Sequence, residues 1–171
     1  SYDSALRHAS DALKADREFV FKIVKIHGLA LEYASDALKA DRELVLEAIK
    51  NGYFSLDGAS DALKADREVV FEAVKKGFNL RYASDALKAD RDLVLVAVKI
   101  CGSAIEYACD TLKADREVVF EAVKNDAYGL SYDSALKHAS DALKGDREFV
   151  FEIVKIHGLA LEYASDALRE D

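Results

Sequence analysis

The sequence predicts an all-α protein, an α-solenoid of short two-helix repeats of about 25 residues, thirteen helices in all. Three observations carry this expectation. The segment Ala-Ser-Asp-Ala-Leu-Lys-Ala-Asp-Arg-Glu returns with small changes from Ala9, Ala34, Ala59, Ala83, Ala108, Ala139 and Ala164. Between returns, apolar residues fall at three- and four-residue spacing, the period of one helical face. Proline is absent, so the strongest helix breaker plays no part.

Successive copies are separated by 25, 25, 24, 25, 31 and 25 residues. A longer period lies over this one. Residues 1–41 recur as 131–171 with five differences, Arg7/Lys137, Ala15/Gly145, Lys22/Glu152, Lys39/Arg169 and Ala40/Glu170. Both ends of the sequence fall in mid-unit, so residues 1–171 read as one tandem-repeat array and as a window on a longer one.

Within a unit, Ala30, Leu31, Ala34, Ala37 and Leu38 share one helical face, with Glu32, Asp36 and Lys39 opposite, which predicts a first helix of about ten residues. Asp41 then stands as N-cap of a second helix, with Glu43 in the first turn where an acid suits the helix dipole. Leu44, Val45, Ala48 and Ile49 form its apolar stripe. In register with Val45, the row Val20, Val45, Val70, Val94, Val119 and Val150 is expected in the core. Gly52 follows the helix, and Gly28, Gly77, Gly102 and Gly158 hold the same place, as left-handed residues after a helix end would. Isolated helices this short are marginal in water, so the repeats must stack to fold.

The strings Leu-Lys-Ala-Asp-Arg-Glu-Val-Val-Phe-Glu-Ala-Val-Lys at 63–75 and 112–124, and Ala-Leu-Glu-Tyr-Ala-Ser-Asp-Ala-Leu at 30–38 and 160–168, resemble the repeat of domain of unknown function 4116. The resemblance covers essentially the whole chain. It implies a tandem helical array and brings no activity to any residue.

The composition narrows the function classes. A formal charge of −8, from 32 acidic and 24 basic residues spread along the chain, opposes attraction to phosphate backbones and weighs against nucleic acid. The apolar runs are far too short for a membrane span, and Ser1, Tyr2, Asp3 and Ser4 do not open a secretory signal. Cys101 and Cys109 have no CxxC spacing, so two free thiols and a reducing compartment are the plain reading.

No chemistry-bearing constellation emerges. There is no HExxH, no phosphate loop, no nucleophilic triad and no paired-carboxylate site, so no catalytic, cofactor-binding or metal-binding residue is expected, and no cofactor. His27 and His157 sit at helix ends beside Gly28 and Gly158, where a cation suits the dipole, and His8 and His138 hold a boundary position that is Tyr33, Tyr82, Tyr107 or Tyr163 in other copies. Asp16, Asp41, Asp66, Asp90, Asp115 and Asp146 recur in every turn, which marks them as caps within a charge ladder.

Recognition is therefore sought where the copies differ. One outward position reads Arg7, Glu32, Asp57, Arg81, Glu106, Lys137 and Glu162, the mixed signs of a solvated face. Another carries Lys22, Glu47, Glu72, Glu121 and Glu152 but Val96 in the fourth unit, with Ile100 one turn later. Gly58 stands where most copies have an aromatic ring. The long connection at 125–133, with Tyr128 and Tyr132, accounts for the 31-residue step. Val96, Ile100, Gly58, Tyr128 and Tyr132 are the candidate partner contacts. The expected function is a non-enzymatic helical-repeat scaffold that binds protein partners or its own copies. A helical-repeat nucleic-acid reader is the alternative, and the residues point to no particular small molecule.

Overall fold

The computed structural model describes residues 6–51, 56–78, 80–125 and 135–170. Among these residues there are helices and turns and no strand. Each repeat centres on one long helix: α1 (Arg17–Val24), α2 (Arg42–Lys50), α3 (Arg67–Lys75), α4 (Arg91–Ile100), α5 (Arg116–Lys124) and α6 (Arg147–Ile156). The chain divides into two compact units, residues 1–78 with 82–84, and residues 79–81 with 85–171. Within the first, α1 packs on α2 and α2 on α3; within the second, α4 packs on α5 and α5 on α6.

The long helices form for the reasons their sequence gives. In all six, the preceding Asp is an N-cap with extended backbone whose carboxylate accepts from the first turn: Asp41 from the Glu43 and Leu44 N–H groups at 3.0 and 3.1 Å, Asp16 from Phe19 N–H at 3.0 Å. The apolar stripe Leu44, Val45, Ala48 and Ile49 is wholly buried, as are its counterparts in α3 and α5. The valine row from Val20 to Val150 is buried in every copy, as its register requires.

The expected first helix is instead two pieces. Gly28–Tyr33 is a 3-10 helix, Ala34 and Ser35 are extended, and Asp36–Lys39 is a single α turn. The physical reason is that Ser35, like Ser10, Ser60 and Ser140, is an extended N-cap that opens a new helical turn, to which most copies add a hydrogen bond from the serine position to the preceding repeat. Ala34 N–H closes the 3-10 turn on Leu31 O at 3.1 Å, and Ser35 N–H donates to Lys14 O of the preceding repeat at 2.9 Å instead of to its own helix. The same bond recurs from Ser84 to Lys64, Cys109 to Lys88, Ser140 to Lys113 and Ser165 to Lys144, all at 2.9–3.0 Å. The donor is a backbone group, so Cys109 serves as well as serine. Ala30, Leu31, Ala34 and Leu38 are buried as expected, whereas Ala37, beyond the break, is exposed. Splitting the first helix raises the helix count above the expected thirteen.

The glycines also divide. Gly77 has φ +86°, and Gly77 and Phe78 N–H groups donate to Val74 and Ala73 O at 2.8 and 3.1 Å, the left-handed helix end predicted from its position. Gly28, Gly102 and Gly158 do not share that conformation, because His27, Cys101 and His157 leave the helix as extended residues and each glycine opens the 3-10 turn directly. At Gly28 the missing side chain serves a close approach. A Cβ there would lie 2.4 Å from the Ala48 carbonyl oxygen of α2. Gly52 lies outside the described residues.

Candidate interaction surface

The most regular polar feature runs along the N-terminal ends of the long helices. In the first unit, Arg17 Nε donates to Asp41 Oδ2 at 2.7 Å and its Nη2 to Glu43 Oε2 at 2.6 Å. Arg42 donates to Asp66 at 2.7 Å and also to Glu68. In the second unit, Arg91 reaches Asp115 at 2.8 Å and Glu117 at 2.5 Å. Each Asp thus caps its own helix and binds the arginine of the preceding repeat, while the arginine fork takes the first-turn Glu. Across the 31-residue step the pattern shifts. Arg116 reaches Asp146 at 3.1 Å but takes Glu152, at 2.9 Å, and its guanidinium lies 5.0 Å from the centre of the Phe149 ring.

These arginines, with the N–H groups of the first turn, hold the Asp41, Asp66 and Asp115 carboxyls below their usual titration range. A carboxyl depressed in the folded state adds stability that is fully present above its unfolded pKa of about 3.9 and is lost as pH falls through the folded value. The melting temperature is therefore expected to hold as pH falls from 7 towards 4 and then to drop. Asp41→Asn keeps an N-cap acceptor and removes the charge, so its melting curve should depend less on pH below 4 than the parent's. An unchanged acid slope would show that Asp41 contributes nothing to it.

The outer face of the long helices is less uniform. Val96 on α4 is half-buried, as are Glu47, Glu72 and Glu121 at the same register, and Ile100 one turn later is 46% exposed. Beside it Cys101 is exposed, with Sγ 3.2 Å from Ser103 Oγ, and Cys109 is a half-buried free thiol at a cap. On the same unit, Arg116, Phe120, Glu152, Lys155 and Ile156 line an open groove of about 390 Å³, an apolar floor with the Arg116 and Glu152 ion pair on its rim. No single motif marks this groove in the sequence. Its signal was the row Phe21, Leu46, Phe71, Leu95, Phe120 and Phe151, which repeats in step with the caps and is never fully buried.

Val96 and Ile100 thus sit together on α4, whereas Gly58 belongs to the other unit, half-buried at the end of the turn Leu56–Gly58, its N–H donating to Asp57 Oδ1 at 2.8 Å. Tyr128 and Tyr132 lie outside the described residues. Among the described residues no three His, Cys, Asp or Glu side chains cluster as metal ligands would, and no helix is long and apolar enough to cross a membrane.

The family model described as Domain of unknown function (DUF4116) matches four times, over residues 1–39, 41–88, 90–132 and 115–169. Together the matches omit only Ala40, Ala89, Glu170 and Asp171. The chain belongs to this family. The match over 41–88 spans close to two of the 25-residue steps. Comparison with curated proteins and with solved structures gives no match.

Proposed function

We propose that this member of the family is a non-enzymatic scaffold that binds protein along the outer face of its long helices. The observation that carries the reading is the apolar pair Val96 and Ile100, standing where five other repeats place Lys or Glu. Charged residues at that register keep the outer face solvated, and replacing one by valine beside an exposed isoleucine creates surface with less reason to remain in water. The neighbouring groove, with aromatic floor and charged rim, has the composition of a small contact site. The net negative charge favours protein over nucleic acid as partner.

Val96→Glu tests this. Glu47, Glu72 and Glu121 occupy the same half-buried register, so the fold accommodates glutamate there, and stability should change by no more than about 0.5 kcal/mol. Proteins captured by the parent chain and identified by mass spectrometry should be depleted on the variant. If melting is unchanged and capture is also unchanged, the Val96 face is not the contact. Salt-sensitive binding of RNA or DNA at low ionic strength would favour the nucleic-acid reading instead.

A further inference from the structure

The 31-residue step before α6 changes the ion pairs of the outer face, and the change leaves a cation over. In α3 and α5 the carboxylate at this register is held on its own helix, Glu72 by Lys75 at 2.9 Å and Glu121 by Lys124 at 3.6 Å. In α6 the same register is Glu152, and Arg116 of the preceding repeat takes it at 2.9 Å. Arg17, Arg42 and Arg91 instead take the first-turn glutamates Glu43, Glu68 and Glu117. Lys155, the counterpart of Lys75 and Lys124, therefore loses the carboxylate on the turn before it. Its Nζ rests 4.3 Å from the centre of the Phe151 ring and has no carboxylate partner among the described residues.

That cation stands at the mouth of the groove between α5 and α6, lined by Arg116, Phe120, Glu152, Lys155 and Ile156. Phe120 is half-buried and Ile156 is 38% exposed. A following repeat does not cover this face, since Ile26, the counterpart of Ile156 on α1, is 65% exposed although α2 follows and packs on α1. Lys25, the counterpart of Lys155, is exposed there too. The groove's volume, about 390 Å³, is at the lower end of the roughly 300–1,000 Å³ of ligand clefts and suits a few side chains. Of the charges that line it, Arg116 and Glu152 neutralise one another. What remains is the single positive charge of Lys155, and an ammonium resting on a ring face still has donors to give.

We propose that this groove binds a short peptide segment of a partner protein, one that carries a large apolar side chain and, close to it in sequence, an Asp or Glu. The apolar side chain lies on Phe120 and Ile156, and the carboxylate takes Lys155. Charge complementarity selects the acid, because a basic segment would bring like charge to Lys155 and an uncharged one would leave it unmatched. The proposal rests on the reading of this chain as a protein binder, and not on Val96. Ile156 holds the position on α6 that Ile100 holds on α4, so the groove and the Val96 pair share one register of one unit.

The probe is a library of short random peptides displayed on phage and selected on the full chain. Enriched peptides should pair a large apolar residue with Asp or Glu. Their affinity, read by fluorescence polarisation, should fall about tenfold or more on Ile156→Asn and stay unchanged on Ile26→Asn. Asn51 and Asn125 hold the Ile156 position in α2 and α5, so the fold accommodates asparagine there, and a melting curve of each variant checks it. Lys155→Gln should weaken binding about two- to fivefold. Once the acid of the peptide is replaced by its amide, Lys155→Gln should weaken binding no further, as coupled partners require. Peptides that bind the parent and Ile156→Asn alike overturn the proposal, as do enriched peptides that lack an acid, or no enrichment at all. Depletion of captured proteins on Val96→Glu would then leave protein binding standing without the groove. Peptides that meet every expectation while Val96→Glu leaves capture intact would keep the groove and remove the Val96 contact.

Discussion

Gly28→Ala is expected to destabilise the protein while Gly158→Ala leaves it unchanged or slightly stabilised, although the two glycines lie in the same sequence. At Gly28 the new Cβ falls 2.4 Å from a backbone oxygen and 3.2 Å from the Ala48 Cα. A backbone atom cannot rotate aside as a side chain can, so α2 and the turn must part. Parting them loosens Leu31, Leu44 and Ala48, all of which have no exposed surface. Overpacking of this kind usually costs about 1–3 kcal/mol, and a clash with main chain belongs at the upper end. At Gly158 nothing lies within 4 Å and φ is not left-handed, so the Cβ enters open space. There the only effect is on the unfolded chain, whose lost freedom favours folding by about 0.4–1 kcal/mol. Urea denaturation of both variants decides the matter. Equal effects at the two positions would mean that the Gly28 approach does not constrain the stack.

The same glycines show where sequence reading succeeds and where it stops. The long helices were legible because cap, dipole and apolar stripe agree over nine or ten residues: Asp41, Glu43 and the stripe from Leu44 to Ile49 all specify one helix with one buried face. The break in the first helix is not legible, because Ala30, Leu31, Ala34 and Leu38 keep a helical spacing through a chain that is not one helix. The break falls at Ser35, an extended N-cap whose N–H bonds to Lys14 O, and that bond, between residues 21 apart in sequence, leaves no local trace. Gly28 was legible as a turn residue but not as a point of contact, since its reason lies in Ala48 of the next repeat. The candidate surface followed the same division. The exceptional Val96 could be found by aligning the copies, whereas the groove around Phe120 and Ile156 required knowing that α5 and α6 present those side chains side by side.

Residues 34–58 as an isolated peptide are expected to be largely unfolded, with cooperative helix appearing in fragments of four or more repeats. The peptide holds one α turn of four residues and the nine-residue α2, both below the roughly 12–15 residues at which a helix becomes marginal alone. It would need packing, and the ends of the chain show what packing is lost when a neighbour is absent. On one side, Leu13 is 41% exposed where the matching Leu143, with a preceding repeat, is 8% exposed. Phe19 and Phe149 differ in the same sense. On the other side stand Leu159 and Leu161. A lone repeat has both sides open, so most of its large apolar side chains would remain in water, and burial of each is worth only about 1.5–3 kcal/mol even when complete. It would also lose the Ser35 bond to Lys14 and the Arg17 fork on Asp41 and Glu43, which are supplied by the preceding repeat. Ordering its backbone meanwhile costs about 1–2 kcal/mol for every residue. Each added repeat introduces one new interface while the number of open ends stays at two, so stability should rise with repeat number and unfolding should sharpen. Circular dichroism on a truncation series measures this directly. A folded single repeat, or helicity that grows in proportion to length with no gain in cooperativity, would mean that the helices are stabilised locally and that stacking is incidental.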